Sequence, residues 1–339
     1  MTHEENVPPS QSGATSTDGR PFLRALKKFV DVPLGWMAQQ GARCYVAGAS
    51  IGDALALCAP DATEHGRFIV CPWDRPGDSA ADVQASYRSA LLALRQHPNL
   101  DCYLSIKFPS LGYDPARAEA IVALGDYLGI RVHFDALGPE SVDRTLVIIE
   151  RLSSRYRNIG ATVSARWRRS AHDIERLLDL SIPIRLVKGQ LPAGPAEEVE
   201  PRAGFMRLIL SAHRATAPIG VASHDNSLVE QAVSQLRDVG APYELEQLLK
   251  LPPVPFAAES GAPIRLYIPY GHGYPPYDVY VAIKSPRKGL RLITDFICGC
   301  GLAWRERTRC SYPILQAPQN PNGVVTNHDS ASSEPTRCL

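Results

Sequence analysis

The chain has 339 residues, 45% hydrophobic and 21% charged, enough apolar material to bury a large core. Its formal net charge of +1, with lysines and arginines scattered, excludes nucleic acid or an acidic membrane surface as an evident partner. No apolar run reaches membrane-spanning length, and Met1–Arg20 holds no apolar segment of a secretion signal. A cytoplasmic, reducing setting is therefore expected, with the eight cysteines serving mainly as small buried hydrophobes. Cys298 and Cys300 lack a second spaced pair or a nearby histidine, so no metal site is read there.

In chain order, residues 1–20 read as a disordered tail, 21–312 as one domain and 313–339 as a second disordered tail, because both ends are rich in Ser, Thr, Asn and Pro. Segment 22–58 reads as a helical lead-in. Short apolar runs predict strands near 68–72, 102–108, 130–137, 159–167, 183–190, 218–225, 242–248 and 264–271. Helical spacing of apolar residues fills the intervals at 80–95, 116–128, 141–156, 170–180, 202–215, 226–238 and 275–285. Asp114-Pro115 is the clearest helix start. Strand and helix alternate at roughly 25 to 30 residues, the arithmetic of a distorted (β/α)8 TIM-type barrel. The rival doubly wound sheet is weakened because no strand runs into a Gly-x-Gly-x-x-Gly loop or a P-loop.

In such a barrel the polar residues at the strand ends converge on one mouth. They are Lys107, Asp135, Ser164, Arg166, Arg185, Lys188, His224, Asp225, Glu244, Glu246 and Tyr267. Any one of them could be a structural polar group, and Lys107 with Asp135 could be a simple buried ion pair. Together, the excess of basic groups points to an anionic ligand such as a phosphate-bearing cofactor. Val187-Lys188-Gly189 suits that role, with a glycine for close backbone approach and a lysine for a phosphate. An aldolase-like barrel is a rival, with Lys188 or Lys107 as a Schiff-base amine activated by Arg185.

Several segments, in order over roughly 43–285, resemble the flavin-dependent proline dehydrogenase family. They are Arg43-Cys44-Tyr45-Val46-Ala47-Gly48, Ile106-Lys107-Phe108, Phe134-Asp135-Ala136, Arg185-Leu186-Val187-Lys188-Gly189 and Arg265-Leu266-Tyr267-Ile268-Pro269-Tyr270-Gly271. Ala222-Ser223-His224-Asp225-Asn226 is similar to the family's Ala-Thr-His-Asn, and Tyr243-Glu244-Leu245-Glu246 to its Tyr-Glu-Phe-Gln. The resemblance implies FAD and hydride transfer from the carbon beside a secondary amine to flavin N5. The amine would be L-proline or a proline derivative, and the product a pyrroline-type imine. It implies Arg185 near flavin N5, Lys188 and Gly189 near the pyrophosphate, and His224 with Ser223 and Asp225 along the adenosine half. Ser164 and Val187 complete the implied cofactor set. Lys107 and Asp135 would lie on the substrate side, with Tyr267, Tyr277 and Tyr280 around the pocket. The electron acceptor and the oligomeric state stay open.

The sequence also departs from the family pattern. The family's Tyr-x-x-Arg-Arg-Leu-x-Glu, whose paired arginines clamp the substrate carboxylate, reads here from Tyr277 with Tyr280, Val281 and Lys284 at the charged positions. Ser164 replaces a flavin-contacting glutamine, and the first-strand acidic position aligns at Asp74 or Arg75. Three readings follow: Lys284 or Arg287 supplies a substitute cation, the substrate has no free carboxylate, or the barrel is a non-catalytic binding or regulatory protein.

Overall fold

The computed structural model describes residues 45–58, 66–75 and 77–271. Its strands are β1 (Arg67–Trp73), β2 (Asp101–Ile106), β3 (Val132–Phe134), β4 (Ile159–Ser164), β5 (Ile184–Val187), β6 (Ile219–Ala222), β7 (Tyr243–Leu248) and β8 (Ile264–Gly271). They pair in sequence order, all parallel, and β8 closes the barrel against β1. After α1 (Ile51–Cys58), one helix follows each of the first seven strands. These are α2 (Ala80–Arg95), α3 (Pro115–Leu128), α4 (Val142–Ser153), α5 (Ser170–Asp179), α6 (Pro201–Ser211), α7 (Asn226–Asp238) and α8 (Pro255–Glu259). The fold is the expected (β/α)8 barrel.

Local chemistry explains the helix starts. Asp114 accepts hydrogen bonds from the backbone N–H of Ala116 (2.8 Å) and Arg117, and Pro115 presets the first turn of α3. Gly129, left-handed at φ 72°, ends that helix. Ser79 and Asp82 form a reciprocal capping box on α2, and Asp225 caps α7 through Leu228 N–H (3.2 Å).

The apolar core lies between the barrel and its helices. Outward-facing Leu104, Ile106, Val132, Phe134, Ile159, Ile184, Leu186 and Val221 are buried, as are Leu91, Ile121, Ile149, Leu152, Leu177, Phe205 and Leu208 on the helices. The alternate residues of each strand point into the barrel, and there the filling is polar. At the amino-terminal end Arg265 donates to Glu244 (2.9 Å) and Asp101 (3.0 Å), while Arg67 and Arg131 approach Glu244 at 3.4 and 3.6 Å. This ion network closes the bottom of the barrel.

Several expected strand ends lie outside the ladder. The run 130–137 contributes only Val132–Phe134, 183–190 only Ile184–Val187, and 218–225 only Ile219–Ala222. Their polar last residues leave the sheet to form the loops at the mouth. Helix α8 was not expected, being a single turn too short to show a period. Most of the 22–58 lead-in, the 275–285 helix and both predicted tails lie outside the described residues.

Candidate functional site at the carboxyl ends of the strands

One side chain organises the inner mouth. Arg185, on β5, has a side chain only 4% exposed, inside a ring of partners from four other strands or strand ends. Its Nε donates to Glu246 Oε2 of β7 at 2.5 Å, and its Nη1 to Asp135 Oδ1, just past β3, at 2.5 Å. Its Nη2 donates to the Tyr103 hydroxyl of β2 at 2.9 Å, and Nη1 lies 3.5 Å from Thr162 Oγ1 of β4. Burial opposes the guanidinium charge, but Glu246, Tyr103 and Asp135 outweigh it and hold Arg185 more firmly protonated than usual. Gly220 makes room for this layer: a Cβ there would stand 2.5 Å from Glu246 Oε1.

Asp135 joins Arg185 to Tyr267 and Cys71. Its Oδ2 accepts from the Tyr267 hydroxyl at 2.9 Å and from the buried Cys71 thiol at 3.7 Å. Burial, then the nearby Asp135 charge, pushes the Tyr267 hydroxyl far up, so it stays a donor. Burial likewise pushes the Cys71 thiol up to about 11. Beneath them Tyr103 is a hub. Its hydroxyl donates to Glu246 Oε1 (2.9 Å), and its ring faces the guanidinium carbons of Arg131, Arg265 and Arg185 at 3.8, 4.9 and 5.8 Å. His133 stacks on the same ring at 5.4 Å. Burial, then Arg185 and Arg131, keeps its imidazole neutral, well below the usual histidine range.

Lys107 belongs to the mouth but not to Asp135. Its Nζ donates to the Pro72 carbonyl at 3.2 Å and lies 3.6 Å from Asp74, with Trp73 below it. The suggested Lys107–Asp135 pair is therefore replaced by Lys107–Asp74 and Asp135–Arg185, because barrel closure carries Arg185 to Asp135. Of the two candidates for the first-strand acidic position, Asp74 is the one beside Lys107.

The outer group sits over β4, β5 and β6. Gly189 has φ 86°, and a Cβ there would overlap Ser164 Oγ, which is itself buried without a hydrogen-bond partner. Val187 ends β5, and Lys188 beyond it is partly exposed, 3.5 Å from Asp225. Asp225 also holds Arg202 of α6 in a short ion pair. Ser223 Oγ accepts from Asp225 N–H at 3.1 Å. His224 spans loops: Leu248 N–H donates to its Nε2 (2.8 Å), which leaves Nδ1 to donate to the Pro252 carbonyl (3.0 Å). Tyr277 and Tyr280 lie outside the described residues, as do Lys284 and Arg287.

Sequence reading missed Tyr103, His133, Cys71, Thr162 and Arg202 as members of this site. A signal existed for three of them. Tyr103, His133 and Thr162 each stand two or four residues before a strand-end polar group (Lys107, Asp135, Ser164), so strand alternation places them on the same face. Arg202, on a helix, has no such signal.

A closed parallel barrel that gathers charged side chains at the carboxyl ends of its strands is a TIM-type barrel with its candidate chemistry at the usual face. No family model matches the chain. It is similar to proline dehydrogenase 1 of Bacillus subtilis subsp. natto, 26% identical over 272 residues, which covers 74% of this chain and 88% of that protein. Its counterpart in Bacillus subtilis strain 168 is 25% identical over the same shares. Among solved structures, proline utilization A from Bdellovibrio bacteriovorus inactivated by N-propargylglycine superposes with a TM-score of 0.58 at 17% identity, covering 68% of this chain and 31% of that one. A mutant of proline utilization A from Bradyrhizobium japonicum gives 0.54 at 16% identity, covering 78% and 33%. This chain spans about a third of those solved proteins, and the likeness to them is one of fold. At 25–26% identity the Bacillus likenesses support a divergent relationship to the proline dehydrogenases.

Proposed function

We propose that this chain is an FAD-dependent oxidoreductase of the proline dehydrogenase type, acting on the CH–NH bond of L-proline or a proline derivative. The observation that carries this reading is the single hydrogen-bonded set of Arg185, Asp135 and Tyr267, with the Gly189–Ser164 approach at the ends of β5, which carries Arg185, and its neighbour β4. The name of the curated relatives, proline dehydrogenase, supports the same reaction class.

The residues present fit the cofactor. Gly189 lets a ligand approach the backbone, the buried Ser164 hydroxyl has no protein partner, and Lys188 and Arg202 offer partly exposed cations next to them. Lys188 and Gly189, with Ser164, Val187, Ser223, His224 and Asp225, would hold it. When bound, FAD supplies the acceptor for the hydride pair that leaves carbon, while the amine nitrogen loses its proton and an imine remains.

The chain's own part is orientation, charge and exclusion of water. Asp135 holds Arg185 and Tyr267 in fixed rotamers, so neither must reorganise during turnover. Arg185 offers a preorganised positive charge in a dry layer, where it favours an electron-rich neighbour. Lys107 and Tyr267 border the substrate side, with Tyr277 and Tyr280 following in the sequence. The aldolase reading is disfavoured, since Arg185 is turned to Asp135 and Glu246 while Lys188 faces Asp225 and Lys107 faces Asp74. A cytoplasmic setting is part of the proposal; among the described residues no helix is long and apolar enough to cross a membrane.

The test is the visible absorption spectrum of the purified full chain after incubation with FAD, then after anaerobic addition of a secondary amine. A flavin band that bleaches supports the proposal. The variant Arg185→Ala should keep the band and bleach far more slowly. Failure to retain flavin would overturn the reading and favour a non-catalytic barrel.

A further inference from the structure

Among the described residues, three other than glycine hold a left-handed backbone: Tyr113 at φ 56°, Ser181 at φ 54° and Lys250 at φ 60°. A Cβ in that conformation crowds the carbonyl that follows, a strain glycine avoids. Two of the three are accounted for by their surroundings. Ser181 lies just past the end of α5, where its N–H donates to the Leu178 carbonyl at 3.0 Å and a left-handed residue commonly stops a helix. The Tyr113 ring packs edge-on against Phe108 at 5.5 Å, with the Arg144 guanidinium 4.7 Å from its centre. Lys250 is half-buried, yet its side chain makes no hydrogen bond, ion pair or ring contact among the described residues.

The turn that carries Lys250 is nonetheless firmly held. Leu251 N–H donates to the Leu248 carbonyl at 3.2 Å, so Leu249 and Lys250 form the middle of a tight turn, with Lys250 where glycine is usual. His224, from the loop after β6, accepts from Leu248 N–H and donates to the Pro252 carbonyl, which ties down both ends. Leu249 N–H donates to the Tyr267 carbonyl at 2.9 Å, so Lys250 directly follows a residue bonded to the β8 backbone. The hydroxyl of that same Tyr267 meets Asp135 in the inner group. A strained turn, fixed at each end, thus carries a cation without a protein counter-charge among the described residues. Strain of this kind, kept where the packing does not need it, points to a role for the side chain.

We propose that Lys250 binds the carboxylate of the amine substrate, and that the left-handed turn clamped by His224 is kept because it presents that lysine at the mouth. The inference rests on the amine-oxidation reading above and assigns one contact within it. A carboxylate is favoured over a cofactor phosphate by position. The turn is bonded to Tyr267 on β8, whereas Ser164 and Gly189 lie at the ends of β4 and β5, on the far side of β6.

The test compares Lys250→Gly and Lys250→Asn with the parent. Glycine removes cation and strain together, while asparagine removes the cation and tolerates the left-handed backbone, so either folded variant suffices. L-Proline carries a free carboxylate and L-prolinamide does not. Each is titrated calorimetrically into the full chain loaded with FAD, anaerobically and with the flavin reduced beforehand by dithionite, so that neither amine turns over. Proline binding should weaken at least about tenfold in the variants, and prolinamide binding less than about threefold. Lys250→Gly should also unfold at a urea concentration equal to or above that of the parent. Equal weakening of both amines, or of neither, overturns the carboxylate contact. A lower urea midpoint in Lys250→Gly overturns the account of the turn. Loss of flavin from the variants alone assigns Lys250 to the cofactor and overturns the proposal. A parent that holds flavin but binds neither amine overturns the substrate contact only; a parent that holds no flavin overturns the amine-oxidation reading with it.

Discussion

Replacing Tyr103 with phenylalanine removes one oxygen atom from the centre of the barrel and little else. That hydroxyl donates to Glu246 Oε1 and accepts from Arg185 Nη2, both at 2.9 Å, and the side chains on either side are 4% exposed. Both bonds involve charged groups, each contributing about 1.5–3 kcal/mol. The ring remains, so the contacts to Arg131 and Arg265 persist, and the space vacated is smaller than a methyl group. Partial relaxation of the Arg185 fork onto its two carboxylates offsets some of the loss, which leaves an expected destabilisation of about 3 kcal/mol. Urea unfolding of the full chain and of Tyr103→Phe measures it, with the m-value expected to stay the same. Combining the change with Glu246→Gln should recover about 1–2 kcal/mol as a coupling term, since both act on one bond. A loss below about 1 kcal/mol in Tyr103→Phe would refute the view that this hydroxyl ties the charged layer together.

Three further outcomes follow from the same geometry. The folded protein keeps His133 neutral, whereas the unfolded chain takes up a proton below the ordinary value of 6.5. Its contribution is therefore fully present above that pH and is lost as the pH falls. Between about pH 6.5 and 5 the parent should lose up to about 1.4 kcal/mol per pH unit more than His133→Asn. Parallel pH–stability curves for the two proteins would count against a buried neutral imidazole. Gly189→Ala forces a side chain into a left-handed conformation and onto Ser164 Oγ, so it should cost about 1–3 kcal/mol and lower the flavin retained after gel filtration. An alanine variant as stable and as yellow as the parent would show that this loop does not need its glycine. Cys71, fully buried with its thiol pushed up to about 11, should escape iodoacetamide at pH 8 in the native protein and react once urea is added. Peptide mass spectrometry reads this directly, and native-state labelling of Cys71 would contradict the packing of the inner mouth.

The barrel was legible in the chain because buried parallel strands are continuous apolar runs. Ile184–Val187 and Ile264–Gly271 declare themselves in that way, and the Asp114-Pro115 dipeptide marks the start of α3 by its local chemistry alone. Less legible were the strand ends. Polar residues such as Lys188, His224 and Asp225 continue the runs in sequence but leave the ladder in space, since their role is to turn the chain across the mouth. Helix α8 was invisible because its five residues cannot display a helical period.

By itself the sequence determined which strand ends carry polar groups, and so which side chains could reach the mouth: Asp135, Arg185, Lys188 and Tyr267 among them. Strand alternation sets that, and it is a local property. Who pairs with whom was decided only by the tertiary structure. Arg185 meets Asp135 and Glu246 across 50 and 61 residues of chain, and Tyr267 meets Asp135 across 132. Such partners are chosen when eight strands close into a ring and each inward side chain must find a counter-charge in a space without water. No local pattern encodes the diameter and stagger of that ring, and these are what bring an arginine between two acids rather than a lysine beside one.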